Sequence, residues 1–178
     1  GAAELAEQEL ESGGKRADYI NTLKMVDNFL PGFDMKEQIA IDPENRVDEH
    51  IVQIKADIDS RRKWIQPVSE EDREWHRQFL ARQAGNPAGL WKNIYKVTEE
   101  CIGCGICTRV CPAGCIYLDN QRAVHTAENC QMCMACVHHC PKNAIRLTIP
   151  EKNPSARYHN VHIRLTEIVQ ANDQHVTI

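Results

Sequence analysis

The sequence predicts an α+β chain: a small duplicated domain of the βαβ type at residues 95–149, preceded by a helix–strand–helix stretch at 1–64. Three observations predict it. All nine cysteines of the 178 residues fall between Cys101 and Cys140. The cysteine string recurs after 29 residues, with short strand-like words beside each copy. The stretch before it carries helical periodicity broken by one strand-like word.

In chain order, "AAELAEQELES" has Leu5 and Leu10 among acidic spacers and stops at Gly13-Gly14, so it reads as a helix. "ADYINTLKMVDNFLPGFD" reads as a strand running into a long loop broken at Pro31-Gly32. "DPENRVDEHIVQIKADIDSRRKW" reads as one amphipathic helix. Asp42 is its expected cap, Pro43 suits its first position, and Val47, Ile51, Ile54 and Ile58 share a face. Residues 65–94 read as a helical linker. Ser69 with Asp72 suggests a capping box for a helix carrying Trp75, Phe79 and Leu80, and "GNPAG" at 85–89 is the expected hinge.

The cysteines follow. Cys101, Cys104, Cys107 and Cys111 precede Pro112; Cys130, Cys133, Cys136 and Cys140 precede Pro141. Each set reads C-x2-C-x2-C-x3-C-P. Three thiolates at such intervals wrap a loop around an inorganic cube, and the fourth reaches the other cube. The spacing therefore predicts two [4Fe–4S] clusters. The first takes Cys101, Cys104, Cys107 and Cys140; the second takes Cys130, Cys133, Cys136 and Cys111. Zinc sites more often use two C-x2-C pairs set far apart. An odd, tightly clustered set is also unlike a secreted disulfide framework. No catalytic residue is expected.

Cys115 stands one repeat before Ala144. It reads as a small core residue, with a spare thiol for a damaged cluster as the alternative. Gly103 and Gly105 flank Cys104, where the backbone must turn toward the cluster; Met132 and Met134 replace them in the second copy and are expected to shield it. "IYKVT" is expected to pair with "IRLTI", and "CIYL" with "AVHTA" through a turn at "DNQR". His138 and His139 read as helix-surface residues. Residues 150–178 read as an extended arm and a short helix built on Leu165, Ile168 and Val169, with Arg157 solvated and Tyr158 packed.

Composition sets the remaining limits. Hydrophobic residues make up 42% and charged residues 26%, as in globular proteins. A net charge of −4 gives no reason to expect nucleic acid. No apolar run has the length of a membrane span. The chain begins with Gly and not Met, as a piece of a longer parent would. Clustered thiols imply a reducing compartment, and the cytoplasm is the expected one.

With both cysteine quartets, both prolines and the flanking strand words in view, residues 95–149 resemble a bacterial-type ferredoxin with two [4Fe–4S] clusters. The resemblance implies low-potential one-electron transfer without chemistry on a substrate. The order of elements before it resembles the final helix–strand–helix of a flavodoxin-like α/β domain. "NTLKMVDNFLPGFD" and "NPSARYHNVHIRLTEIVQAN" resemble words of flavodoxin–ferredoxin fusion proteins of anaerobic microbes. In that family a preceding half carries the flavin loops. No G-x-G-x-x-G or T/S-G-N-T stretch occurs here, so FMN is expected only in a full-length parent. The implied partner is a redox protein or flavin domain with a basic docking face. The alternatives are the iron–sulfur module of a flavin-dependent reductase and a structural or oxygen-sensing cluster domain.

Overall fold

The computed structural model describes residues 1–84 and 93–172. The "GNPAG" hinge lies outside the described residues. The chain divides into two units: residues 1–26 with 41–87, and residues 27–40 with 88–178.

In the first unit, α1 (Ala2–Ser12) ends at Gly13-Gly14, where Gly14 takes φ +70°. Strand β1 (Tyr19–Ile20) runs parallel to β2 (Trp64–Ile65), with Tyr19 opposite Trp64 and Ile20 opposite Ile65. The strand-like word of the N-terminal stretch therefore has a partner, supplied by Trp64, which reads as the end of the amphipathic helix, and Ile65, the first residue of the expected linker. The expected single helix from Asp42 is two elements. A 3₁₀ turn at Asp42–Asn45 has Ile41 at its cap and Pro43 in its first turn, and Arg46 turns left-handed at φ +47° before α3 (Val47–Asp59). Asp42 thus lies inside the turn and does not cap it.

Asp57 is the buried residue of α3. Burial alone would disfavour its charge, but hydrogen bonds from Gln53, Tyr19 and Arg62 outweigh that and hold its carboxyl below the usual range. The Tyr19 hydroxyl donates to Oδ2 at 2.9 Å, Gln53 Nε2 to Oδ1 at 2.9 Å, and Arg62 Nη1 to Oδ2 at 3.1 Å. Ile51 and Ile58, expected on a packed face, are 49% and 57% exposed. Helix α4 (Glu70–Gln83) is capped as expected: Ser69 Oγ accepts from the Asp72 N–H at 3.0 Å. Its Trp75 and Phe79 stack on one another at 5.5 Å, both exposed. Ala3 is the one buried apolar residue among the described residues of this unit.

The second unit contains the cysteines. β3 (Tyr95–Val97) pairs antiparallel with β6 (Ile145–Leu147), Tyr95 opposite Leu147. β4 (Ile116–Asp119) and β5 (Arg122–His125) form a hairpin. Its two-residue loop, Asn120-Gln121, has φ +45° and +60°, the handedness that suits the twist of a tight hairpin. Both pairings follow the expected words. Two short helices, α5 (Ile106–Val110) and α6 (Ala135–His138), occupy equivalent places in the repeat. Helix α7 (Leu165–Asn172) contacts α5, with Asn172 Nδ2 donating to the Arg109 carbonyl at 3.0 Å. In sequence order the elements give a mixed helix and strand fold.

Residues 27–40 were expected with the N-terminal stretch but group with this second unit. Leu30 and Met35, the latter opening α2 (Met35–Ile41), are fully buried in the same core as Ile94, Ile116, Met134, Val137, Ile145 and Leu147. The physical reason is apolar burial without local periodicity: two large side chains insert, and the backbone between them turns at Pro31-Gly32. Lys152 N–H donates to the Leu30 carbonyl at 2.9 Å, and Asn153 Nδ2 reaches the Asp34 carboxylate at 3.0 Å.

Candidate metal centre

Each cysteine loop ends in a left-handed residue that opens a short helix. Gly105 (φ +73°) precedes α5 and Met134 (φ +62°) precedes α6. The preceding pair, Gly103 and Met132, are left-handed too, at +66° and +55°, as are Gly114 and Asn143 at +61° and +49°. The two copies thus share one backbone path although glycine is kept in only one.

That path brings the thiols into two groups. Cys101, Cys104, Cys107 and Cys140 line one cavity, walled by Ile102, Leu118, Ala123 and Ile145. Cys111, Cys130, Cys133 and Cys136 line a second, together with Cys115, Tyr95, His125, Ile116 and Met134. Each cavity takes three cysteines from one copy of the repeat and the last cysteine of the other. Among the described residues, no three Cys, His, Asp or Glu side chains converge on a position for a single metal ion.

Backbone N–H groups point at the sulfurs. Cys115 N–H donates to Cys111 Sγ at 3.2 Å, and its counterpart Ala144 N–H donates to Cys140 Sγ at 3.1 Å. Ala123 N–H reaches Cys101 Sγ and Met132 N–H reaches Cys130 Sγ, both at 3.4 Å. Burial acts on the deeper sulfurs: it pushes the Cys107 thiol up to about 11, with the neighbouring Cys104, Cys101 and Cys140 adding to the shift. Cys136 is pushed up further, first by burial and then by Cys133 and Cys111. Four thiolates in so apolar a cavity need a positive centre among them. The donor set, the apolar walls and the N–H···S bonds therefore fit an iron–sulfur cluster in each cavity.

Several residues around the site left little trace in the sequence. Tyr95 stands in the second cavity, 4.5 Å ring to ring from His125, and burial followed by the charges of Cys130, Cys136 and Cys133 pushes its phenol strongly up. His138 is 3% exposed, not a surface residue as expected. Its Nδ1 accepts from the Tyr158 N–H at 3.0 Å, so the proton sits on Nε2, which donates to the Asn28 carbonyl at 2.9 Å. Burial favours that neutral form. Asn28 also donates from Nδ2 to the Cys133 carbonyl at 3.2 Å. The 27–40 segment is thereby fastened to the second cysteine loop. The side chain of Arg157, expected in solvent, is only 7% exposed and pairs at 2.9 Å with the Glu151 carboxylate, whose side chain is 4% exposed.

Residues 100–159 match the family described as 4Fe-4S dicluster domain. An uncharacterized ferredoxin of Methanocaldococcus jannaschii is 40% identical over 55 residues, which make up 29% of this chain and 71% of that protein. The chain belongs to the ferredoxins. A component of the ion-translocating oxidoreductase complex of Methanosarcina acetivorans is 47% identical over 57 residues, 32% of this chain and 22% of that component. A ferredoxin of Rickettsia felis is 37% identical over 59 residues, 32% of this chain and 54% of that protein. The match thus spans about a fifth of the Methanosarcina component and about half of the Rickettsia ferredoxin. No solved structure matches the chain. Ferredoxin-type iron–sulfur electron transfer is accordingly the activity of residues 100–159. No helix among the described residues is long and apolar enough to cross a membrane.

Proposed function

We propose that this ferredoxin carries electrons singly, at low potential, through two [4Fe–4S] clusters. Cys101, Cys104, Cys107 and Cys140 hold the first; Cys130, Cys133, Cys136 and Cys111 hold the second. The observation that carries this reading is the grouping of the thiols three-plus-one around two separate cavities. A cluster so held supplies reversible one-electron chemistry. The chain's own part is to bind, insulate and bias. The N–H donors to Cys101, Cys111, Cys130 and Cys140 stabilise the sulfur-borne charge. Buried Met134 walls the second cavity, whereas Gly105 opposite it in the repeat has no side chain, so the two potentials differ.

Two clusters would add about −4 to the chain's formal −4, which favours a partner with a basic docking face and docking that weakens with salt. The cytoplasm supplies the reducing conditions that exposed Cys104 and Cys133 require. Anaerobic protein is expected to hold about eight iron and about eight sulfide. On titration with dithionite it should give two magnetically interacting paramagnetic signals. Zinc in place of iron, with no sulfide, would overturn the reading.

The first unit supports a second, narrower proposal: it is part of a larger flavodoxin-like α/β domain whose flavin, FMN, exchanges electrons with the clusters. Parallel strands are normally covered on both faces and extended by neighbours, but β1 and β2 are two residues each and α3 and α4 present Ile51, Ile58, Trp75 and Phe79 outward. Amide hydrogens of Tyr19, Ile20, Trp64 and Ile65 are expected to exchange at nearly unprotected rates in this chain. Strong protection of all four would show a complete sheet and sink the proposal.

A further inference from the structure

His138 stands on α6 between Cys136, which lines the second cavity, and Cys140, which lines the first. Segments from before and after the cysteine region hold it. Its Nε2–H donates to the Asn28 carbonyl at 2.9 Å, its Nδ1 accepts from the Tyr158 N–H at 3.0 Å, and its own carbonyl accepts from His159 Nε2 at 2.6 Å. Asn28 completes the chain of contacts: its side-chain amide donates to the Cys133 carbonyl at 3.2 Å. The first copy of the repeat is built otherwise. Arg109 takes the place of His138 there and is exposed, yet α5 forms between Gly105 and Cys111 all the same. A short helix between cysteines therefore does not need a buried imidazole. Residue 28 also lies well outside the stretch that matches the dicluster family.

We propose that His138 and Asn28 form a pin that positions the second cysteine loop and raises the potential of the second cluster alone. His138 is thus a positioning residue for electron transfer, acting through Asn28. This rests on the two-cluster reading above. The pin works on one peptide, that between Cys133 and Met134. Its carbonyl is drawn to Asn28, which stands outside the cavity lining that Cys133 and Met134 belong to. A trans peptide carries its N–H opposite its carbonyl, so fixing the one fixes the direction of the other. The positive end of that dipole is then held toward the cluster, where it favours the form that has gained an electron. His138 keeps Asn28 in place, because both of its ring nitrogens are used: one grips the Asn28 backbone and the other is anchored on Tyr158.

The experiment is a redox titration of anaerobically purified full chains, followed through the paramagnetically shifted β protons of the ligand cysteines, which report the two clusters separately. The unsubstituted chain is expected to hold about eight iron; a count near four, or none, there would fail the two-cluster reading itself before any variant is made. Asn28 is exposed, so Asn28→Ala removes the side-chain donor and spares the core. It is expected to keep about eight iron and to lower the reduced-to-oxidised ratio of the second cluster about fivefold at a fixed potential, the first cluster being unchanged. His138→Leu is expected to act in the same direction, and His138→Gln, which keeps an N–H donor near the place of Nε2, to retain the unsubstituted ratio. Hydrogen exchange gives a readout apart from the clusters' redox behaviour. The Val137 and His138 amides, both donated to the Met134 carbonyl at 3.0 Å, should exchange faster in Asn28→Ala. Thr108, whose N–H reaches the Gly105 carbonyl at 3.2 Å in the first copy, should not. An unchanged or raised ratio in Asn28→Ala, or equal shifts in both clusters, overturns the proposal, as does a Gln variant no better than Leu. If His138→Leu fails to hold iron, Asn28→Ala decides alone.

Discussion

Gly103→Ala is expected to empty the first cavity, cutting bound iron from about eight to about four while the second cluster keeps its signal. A Cβ on Gly103 would stand 2.2 Å from the Gln121 carbonyl oxygen and 3.0 Å from the Gln121 carbonyl carbon. Both are backbone atoms of the hairpin loop, so no side-chain rotation relieves the clash. The loop carrying Cys101 and Cys104 must move away from the hairpin, and the four sulfurs of that cavity lose their common distance. Left-handed strain is the smaller part. Met132 adopts φ +55° at the equivalent place with its Cβ present, and that conformation costs only about 1–2 kcal/mol. Gly105→Ala separates the two effects. Its φ is +73°, but the nearest atom to the new Cβ is Leu118 Cδ1 at 3.7 Å. It should bear the strain alone, lose about 1–2 kcal/mol of stability, and keep both clusters. Equal iron in Gly103→Ala and Gly105→Ala, by metal analysis, would show that close approach to Gln121 does not matter.

The glycines illustrate what the sequence could and could not carry. Their place beside Cys104 suggested a special turn, and the turn is there. Yet Met132 and Met134 make the same turn, so handedness does not separate the two copies. What makes Gly103 special is the nearness of Gln121, which no local pattern states. The strands and the three-plus-one grouping of thiols were legible because they repeat: a fixed spacing forces a fixed geometry. The left-handed Asn120-Gln121 loop was legible as a turn between two alternating words.

Contacts across long separations were not legible. His138 looked like a surface histidine because its neighbours are a cysteine loop and a polar word. It is buried because Asn28 and Tyr158, each more than fifteen residues away, bring it the acceptor and donor that a buried imidazole needs. The same holds for Leu30 and Met35, which have no amphipathic partners nearby and whose core lies beyond residue 90. The α3 face failed for another reason. Its periodicity is real, but periodicity says only that residues share a face, and in this unit the side of α3 that is buried carries Asp57.

Removing the iron should cost the second unit its fold. Its helices α5 and α6 have five and four residues and its strands three or four, far too short to persist alone. Cys107 and Cys136 belong to the same buried cluster as Ile94, Val137 and Ile145, so the cavities lie within the core and not beside it. An emptied cavity leaves four sulfurs around unfilled space, and burial pushes the thiols of Cys107 and Cys136 up, against the charge that ligation requires. Ligation is thus folding energy here, as in small metal-stapled domains. Chelation under oxygen is expected to abolish cooperative melting of this unit, a loss of about 5 kcal/mol or more, and to open residues 100–159 to protease. Iron and sulfide added back under reducing conditions should restore both. A chelated protein that kept its melting transition and resisted protease across those residues would show that the apolar core suffices, with Leu30 and Met35 supplying what the clusters do not.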